Sequence, residues 1–157
     1  LKTAFEKQSA LAGESAAVAA AMGLYGAALN VHGRSGEGGP VLRKAVDLAE
    51  RFSGAASPLT IQNRLFLGEA LNASGDAAGA KRSLAETASR AQTQFGPGHV
   101  LTLRAGLSQA RLVNASGRYA EASASLDDLI AALSTPGSVA TSSVGLPPRP
   151  SLYTSCR

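Results

Sequence analysis

Two Asn-Ala-Ser triplets, at Asn72 and Asn114, are the first candidates for chemistry in this chain. Each has the form of an N-glycosylation acceptor, which calls for an accessible loop in a secreted protein. His32, His99 and the single cysteine, Cys156, are the other groups able to act as nucleophile, general base or soft metal ligand. They lie in three separate segments. No serine, cysteine or carboxylate recurs at a spacing that would complete a triad or a metal shell around either histidine. Adjacent Asp127 and Asp128 could form an acid–base pair, but a solvated patch near the end of a helix is the preferred reading. One cysteine excludes an intramolecular disulfide and a thiolate cluster, and fits a reducing compartment. The expectation is a segment with no catalytic residues, no metal and no cofactor.

Charge narrows the partners. The net charge of +4 comes from a near-even mixture: residues 1–56 carry six basic and five acidic side chains, 57–98 four and three, 99–137 three and three. No stretch forms a basic patch, so nucleic acid is not an expected partner. Between Glu14 and Arg34 no side chain is acidic or basic, but the run is mostly Ala and Gly with Asn30 and His32. Ala contributes little to membrane transfer, so a buried helix is expected there and no membrane span. No secretory signal pattern is evident, and a cytoplasmic location is expected; a signal already cleaved is the alternative.

The triplets belong to a longer pattern. "LNASGDAAGA" at 71–80 returns as "VNASGRYAEA" at 113–122, a step of 42 residues. At that step Leu59-Thr60-Ile61 overlies Leu101-Thr102-Leu103, Leu65 overlies Leu107, Ala80 overlies Ala122 and Leu84 overlies Leu126. A weaker third copy has Leu29-Asn30-Val31-His32-Gly33 in place of Leu71 to Gly75, and Leu42 in place of Leu84. Each unit reads as two helices folded about Gly33, Gly75 or Gly117, a residue able to take the positive φ of a helix end. In the middle unit the helices are expected over about 59–73 and 77–94, with Ala80, Leu84, Ala88 and Ala91 on one apolar stripe. "FGPGHV" at 95–100 should stop one helix and let His99 open the next. In the first unit Gly36, Gly38 and Gly39 are expected to widen the turn, with Pro40 in the first turn of the second helix.

A single hairpin of this size cannot bury its apolar face, so neighbours must stack. "GRYAEASASL" at 117–126, with small residues at Gly26, Gly68, Ala80, Ala110 and Ala122, resembles the tetratricopeptide repeat. "FGPGHVLTL" at 95–103 is similar to the joint of the 42-residue, kinesin-light-chain-like subgroup. The sequence departs from the pattern at Gly38, which replaces a packing alanine, and at Arg64 and Gly106, where an aromatic is common. Gln109 also replaces a leucine. The resemblance implies an all-α fold, a right-handed superhelical solenoid of antiparallel helix hairpins. It would have repeats near 15–56, 57–98 and 99–134 and a partial helix over 1–10. Leu1 falls about where Leu42 and Leu84 would recur one step earlier, so the chain reads as an excerpt of a larger protein.

The resemblance also implies a non-catalytic scaffold that binds a peptide or partner protein in a concave groove lined by the first helix of each unit. The groove positions would be Ala20, Leu24, Ala27 and Asn30; then Gln62, Leu65, Phe66, Glu69 and Asn72; then Arg104, Leu107, Ser108, Arg111 and Asn114. Asn30, Asn72 and Asn114 could form a ladder of amides along an extended peptide backbone; the alternative is that they satisfy carbonyls at their own helix ends. Arg104 and Arg111 could hold an acidic group, with Glu69 as a competing partner. Similar Ala-rich repeats are attached to bacterial signalling proteins such as Ser/Thr kinases and transcriptional regulators. A regulatory region or a self-association cassette of such a protein is therefore the second expectation. Residues 135–157 read as a disordered Ser/Pro/Gly-rich tail, with "LPPRPSL" at 146–152 as a polyproline candidate.

Overall fold

The structure is a computed structural model that describes residues 13–134. The expected partial helix at 1–10, the Ser/Pro/Gly-rich tail and Cys156 lie outside the described residues. Six helices follow in order: α1 (Ala16–Val31), α2 (Ser35–Ser53), α3 (Pro58–Ala73), α4 (Ala77–Phe95), α5 (Val100–Ala115) and α6 (Tyr119–Ser134). Each packs on the next in the chain, and α3 also packs on both α1 and α5. No strand occurs among the described residues.

Local chemistry explains the boundaries. Four helices start at a residue whose side chain accepts a first-turn amide: Ser15 from Val18 N–H (3.2 Å), Ser57 from Thr60 N–H (3.2 Å), Asp76 from Gly79 N–H (2.8 Å) and His99 Nδ1 from Leu101 N–H (3.2 Å). Such a cap satisfies a donor that has no intrahelical partner, and losing one typically costs about 1 kcal/mol. The expected role of His99 is observed, and its ring also stacks on Phe95 with centroids 4.5 Å apart. The three hairpin turns share one geometry. The amides of Gly33, Gly75 and Gly117 bond the carbonyls of Asn30, Asn72 and Asn114 at 3.0, 3.1 and 3.0 Å. The amides of Arg34, Asp76 and Arg118 reach back to Leu29, Leu71 and Val113. This closure needs φ of 73°, 91° and 80° at the glycines, where a Cβ would be strained.

The first hairpin departs from the expected turn. Gly36, Gly38 and Gly39 do not widen it: α2 already begins at Ser35, and Pro40 lies in its second turn. Gly38 instead brings two backbones close. A Cβ on Gly38 would lie 2.8 Å from the Gly26 carbonyl oxygen, and one on Gly26 would lie 2.5 Å from Leu42 Cγ. Replacing the packing alanine by Gly38 therefore tightens this contact. Gly68 receives Leu84 in the same way, its absent Cβ leaving room for Leu84 Cδ2, which would otherwise be 2.5 Å away.

The core runs between the layers as a chain of small clusters. Ala19, Met22, Ala45, Leu48 and Ala49 form one, with Leu59 packed against it. Leu42, Phe66 and Ala70 form the second, and Leu65, Ala80, Leu84, Ala105 and Leu112 the third. With so few large side chains, close approach at glycine and alanine does the work of bulk.

Two polar side chains of α3 reach across to the first hairpin. Asn63, 1% exposed, donates through Nδ2 to the carbonyls of Ala19 (3.3 Å) and Ala45 (3.2 Å), and so ties α1 and α2 to α3. Arg64, with an 18% exposed side chain, bridges two second helices: it pairs closely with Glu50 of α2 and at 3.4 Å with Glu86 of α4. Arg90 also holds Glu86, at 2.6 Å. The Glu86 carboxyl is held below the usual carboxylate range, chiefly by the Arg90 hydrogen bond and further by Arg64, against a smaller opposing effect of burial.

Candidate functional site

The sequence-derived groove residues separate into three groups. The first is a connected cluster across α3 and α5. Ser108 Oγ donates to Glu69 Oε1 at 2.9 Å, Arg104 approaches Glu69 Oε2 at 3.9 Å, and the Arg104 guanidinium lies over the Phe66 ring, 4.8 Å from its centroid. Ser108 and Phe66 are buried, whereas Glu69 and Arg104 are half-exposed and Gln62 lies beside them on α3 with intermediate exposure. The hydroxyl and the cation come 39 and 35 residues after Glu69 and reach it because α5 packs on α3. Arg104 is fixed from two sides, by a carboxylate and by an aromatic face.

The second group is exposed and uncommitted. Arg111 is exposed and forms no ion pair among the described residues; Asn72 and Asn114 are exposed at the last turns of α3 and α5. Asn114 and Arg111 line a cleft of about 380 Å³ with Leu107, Tyr119 and Leu126, and Asn72 lines another of about 400 Å³ with Lys81, Val113 and Arg118. The sequons thus fall inside helices, one turn ahead of a glycine, and not in loops.

The third group lies elsewhere. Asn30 is engaged locally, its Oδ1 accepting a short hydrogen bond from Ser35 Oγ at the start of α2, so an amide ladder could use only Asn72 and Asn114 freely. Leu65 is fully buried against Ala80, Leu84 and Ala105 and is not a groove residue. Leu24, the counterpart of Phe66 one repeat earlier, is 62% exposed, and Ala17, Ala21, Ala28 and Val31 along the same stripe are exposed with it. One repeat later the same stripe is Leu59, Asn63, Phe66, Ala70 and Ala73, whose first four members pack on the preceding hairpin.

His32 and His99 stand at a helix end and a helix start in different units, and among the described residues no group of three His, Cys, Asp or Glu is placed to hold a metal ion. No described helix is long and apolar enough to cross a membrane. Comparison with known proteins adds no relative: no family model matches the chain, and no curated protein matches it.

Sequence reasoning missed the two residues that bind most across the layers, Asn63 and Arg64. The signal was present. An asparagine and an arginine sit where the aligned third unit has Ala105 and Gly106, and polar residues at interior positions of an apolar period demand partners.

Proposed function

We propose that this segment is a tetratricopeptide-like, non-catalytic interaction module whose stacked hairpins present the α3–α5 face to an extended peptide or a partner protein. The observation that carries this reading is the Ser108–Glu69–Arg104–Phe66 cluster. It holds the half-exposed Glu69 and Arg104 against the buried Phe66 ring and Ser108 hydroxyl, so less side-chain entropy is left to lose when those two charges meet a ligand. Beside it, Arg111 offers a cation for a ligand carboxylate, and Asn72 and Asn114 each offer a donor and an acceptor for a peptide backbone. A peptide library selected on the intact chain tests the reading. Selected peptides should lose about tenfold in affinity, roughly 1.4 kcal/mol, on Arg111→Glu or on Asn72→Ala/Asn114→Ala. Peptides indifferent to both variants would refute it.

A second reading, self-association, is favoured by where the exposed large apolar residues lie. Leu24 and Val31 mark the uncovered stripe of α1, and Leu107, Tyr119, Leu126, Ile130 and Leu133 mark the outer side of α5 and α6. These are the two faces that inner hairpins use to meet each other. A regulatory or dimerisation role within a bacterial signalling protein would use them. Light scattering across a concentration series decides: growth in mass abolished by Leu24→Glu supports pairing, and a monomer throughout removes it.

A further inference from the structure

The two contacts between successive hairpins differ at one place in a way that suggests a ligand. In the first, Arg64 lies between α2 and α4 and is received by Glu50 and Glu86. Forty-two residues later those positions are Gln92, Gly106 and Asp128. All three line a groove of about 390 Å³ between α4 and α6, floored by α5. The receiving pair is kept in part, a carboxylate and an amide oxygen replacing two carboxylates, while the arginine is gone.

Three further observations describe the unfilled position. Leu129, which stands where the first contact has Thr87, lies with Cδ2 2.7 Å from where a Gly106 Cβ would be, so it takes the place of the arginine's first carbons and supplies no cation. Asp128 forms no ion pair among the described residues. The groove's other carboxylate, Glu121, is already held by Arg118, and Lys81, which also lines the groove, pairs with neither. Thr102 on the groove floor is 8% exposed and its Oγ1 has no hydrogen-bond partner, whereas its counterpart Thr60 donates to the Gly54 carbonyl at 2.8 Å. A buried hydroxyl without a partner is costly, and it leaves the groove floor with a polar group that the chain itself does not satisfy.

We propose that this groove receives the side chain of an arginine from a partner protein, which takes the place that Arg64 fills within the chain at the preceding contact. A planar fork of N–H donors suits the Asp128 carboxylate and the Gln92 amide oxygen that line the groove, and the alkyl stem packs on Leu129 and on Ala85 and Ala88 of the same lining. The site lies on the second-helix side of the molecule. It does not use Phe66, Glu69, Arg104 or Arg111, so it stands or falls independently of the peptide face.

The test is an amide-resolved NMR titration of the intact chain with N-acetyl-arginine methylamide, and with its citrulline and lysine analogues. The arginine probe should give saturable shifts at Gly106, Thr102 and the Gln92 side chain, with a dissociation constant of about millimolar order for so small a ligand. Citrulline, with the same shape and no charge, should bind at least about fivefold more weakly, and Asp128→Asn should weaken the arginine probe by a similar factor. Gly106→Arg with Leu129→Thr copies the first contact into the second and should abolish the response; should that variant fold poorly, exposed Asp128→Asn decides alone. An equal response to citrulline, unchanged binding by Asp128→Asn, or shifts spread over unrelated carboxylates such as Glu14 and Asp47 would each overturn the proposal.

Discussion

The contact of the first hairpin with the second and that of the second with the third join corresponding helices through different side chains. The former is closed by long polar groups, Asn63 on two carbonyls and Arg64 between two glutamates. The latter has Ala105 and Gly106 at those positions and relies on Leu65, Leu84 and Leu112, with Ser108 and Glu69 as its polar link. A repeat fixes where helices meet, and leaves open whether a given meeting is saturated within the chain or retains acceptors for something else.

The largest effect should come from the leucine that fills the glycine notch. Leu84→Ala, at a fully buried position, should cost about 2–5 kcal/mol in chemical denaturation, while Leu126→Ala, its partly exposed counterpart one repeat on, should cost under about 1 kcal/mol. Equal losses would mean that α6 is as firmly packed as α4. Next come the glycines. Gly68→Ala drives a Cβ into buried Leu84 and should destabilise by about 1–3 kcal/mol. At Gly106 the obstacle is the end of half-exposed Leu129, which can turn aside, so Gly106→Ala should be near neutral or gain up to about 1 kcal/mol from helix propensity.

Smaller still is the acid response. The folded Glu86 carboxyl titrates below its ordinary value of 4.5, so its contribution is complete above that value and is lost as pH falls through the lowered one. Arg90→Ala, which removes the largest cause, should flatten the fall in denaturation midpoint below pH 4.5 more than Arg64→Ala does. The reverse order would make the inter-hairpin bridge the stronger partner. Smallest is Asn72→Ala/Asn114→Ala, both exposed, which should shift stability by less than about 0.5 kcal/mol per site in the same assay.

Most of the helix boundaries were legible in sequence because the turn glycines at 33, 75 and 117 and the break before His99 act within a few residues of themselves; the caps Ser57 and Asp76 act as locally but were not singled out. The start of α2 was not legible, since three glycines read as a turn; packing against Gly26 explains Gly38, while Gly36 and Gly39 have no close neighbour that requires glycine. Phe66, Glu69, Arg104 and Ser108, expected as groove positions, form one connected cluster, in which Phe66 and Ser108 are buried. Leu65 does not join it, being only three and four residues from its exposed neighbours, where a modest rotation of the helix exchanges groove for core. The Glu50–Arg64–Glu86 bridge spans 14 and 22 residues and three helices, and no local pattern encodes it.

One feature of α6 bears on how the molecule breathes. Ala122 is its single buried residue, and its main packing is on α5 alone. Local opening should therefore begin there, and its backbone amides should exchange with solvent deuterium well ahead of those in α3, which is enclosed on both sides. Since α6 also forms one wall of the groove beside Gly106, a cation seated against Asp128 would act as a clasp, and slower exchange along α6 would report its occupancy.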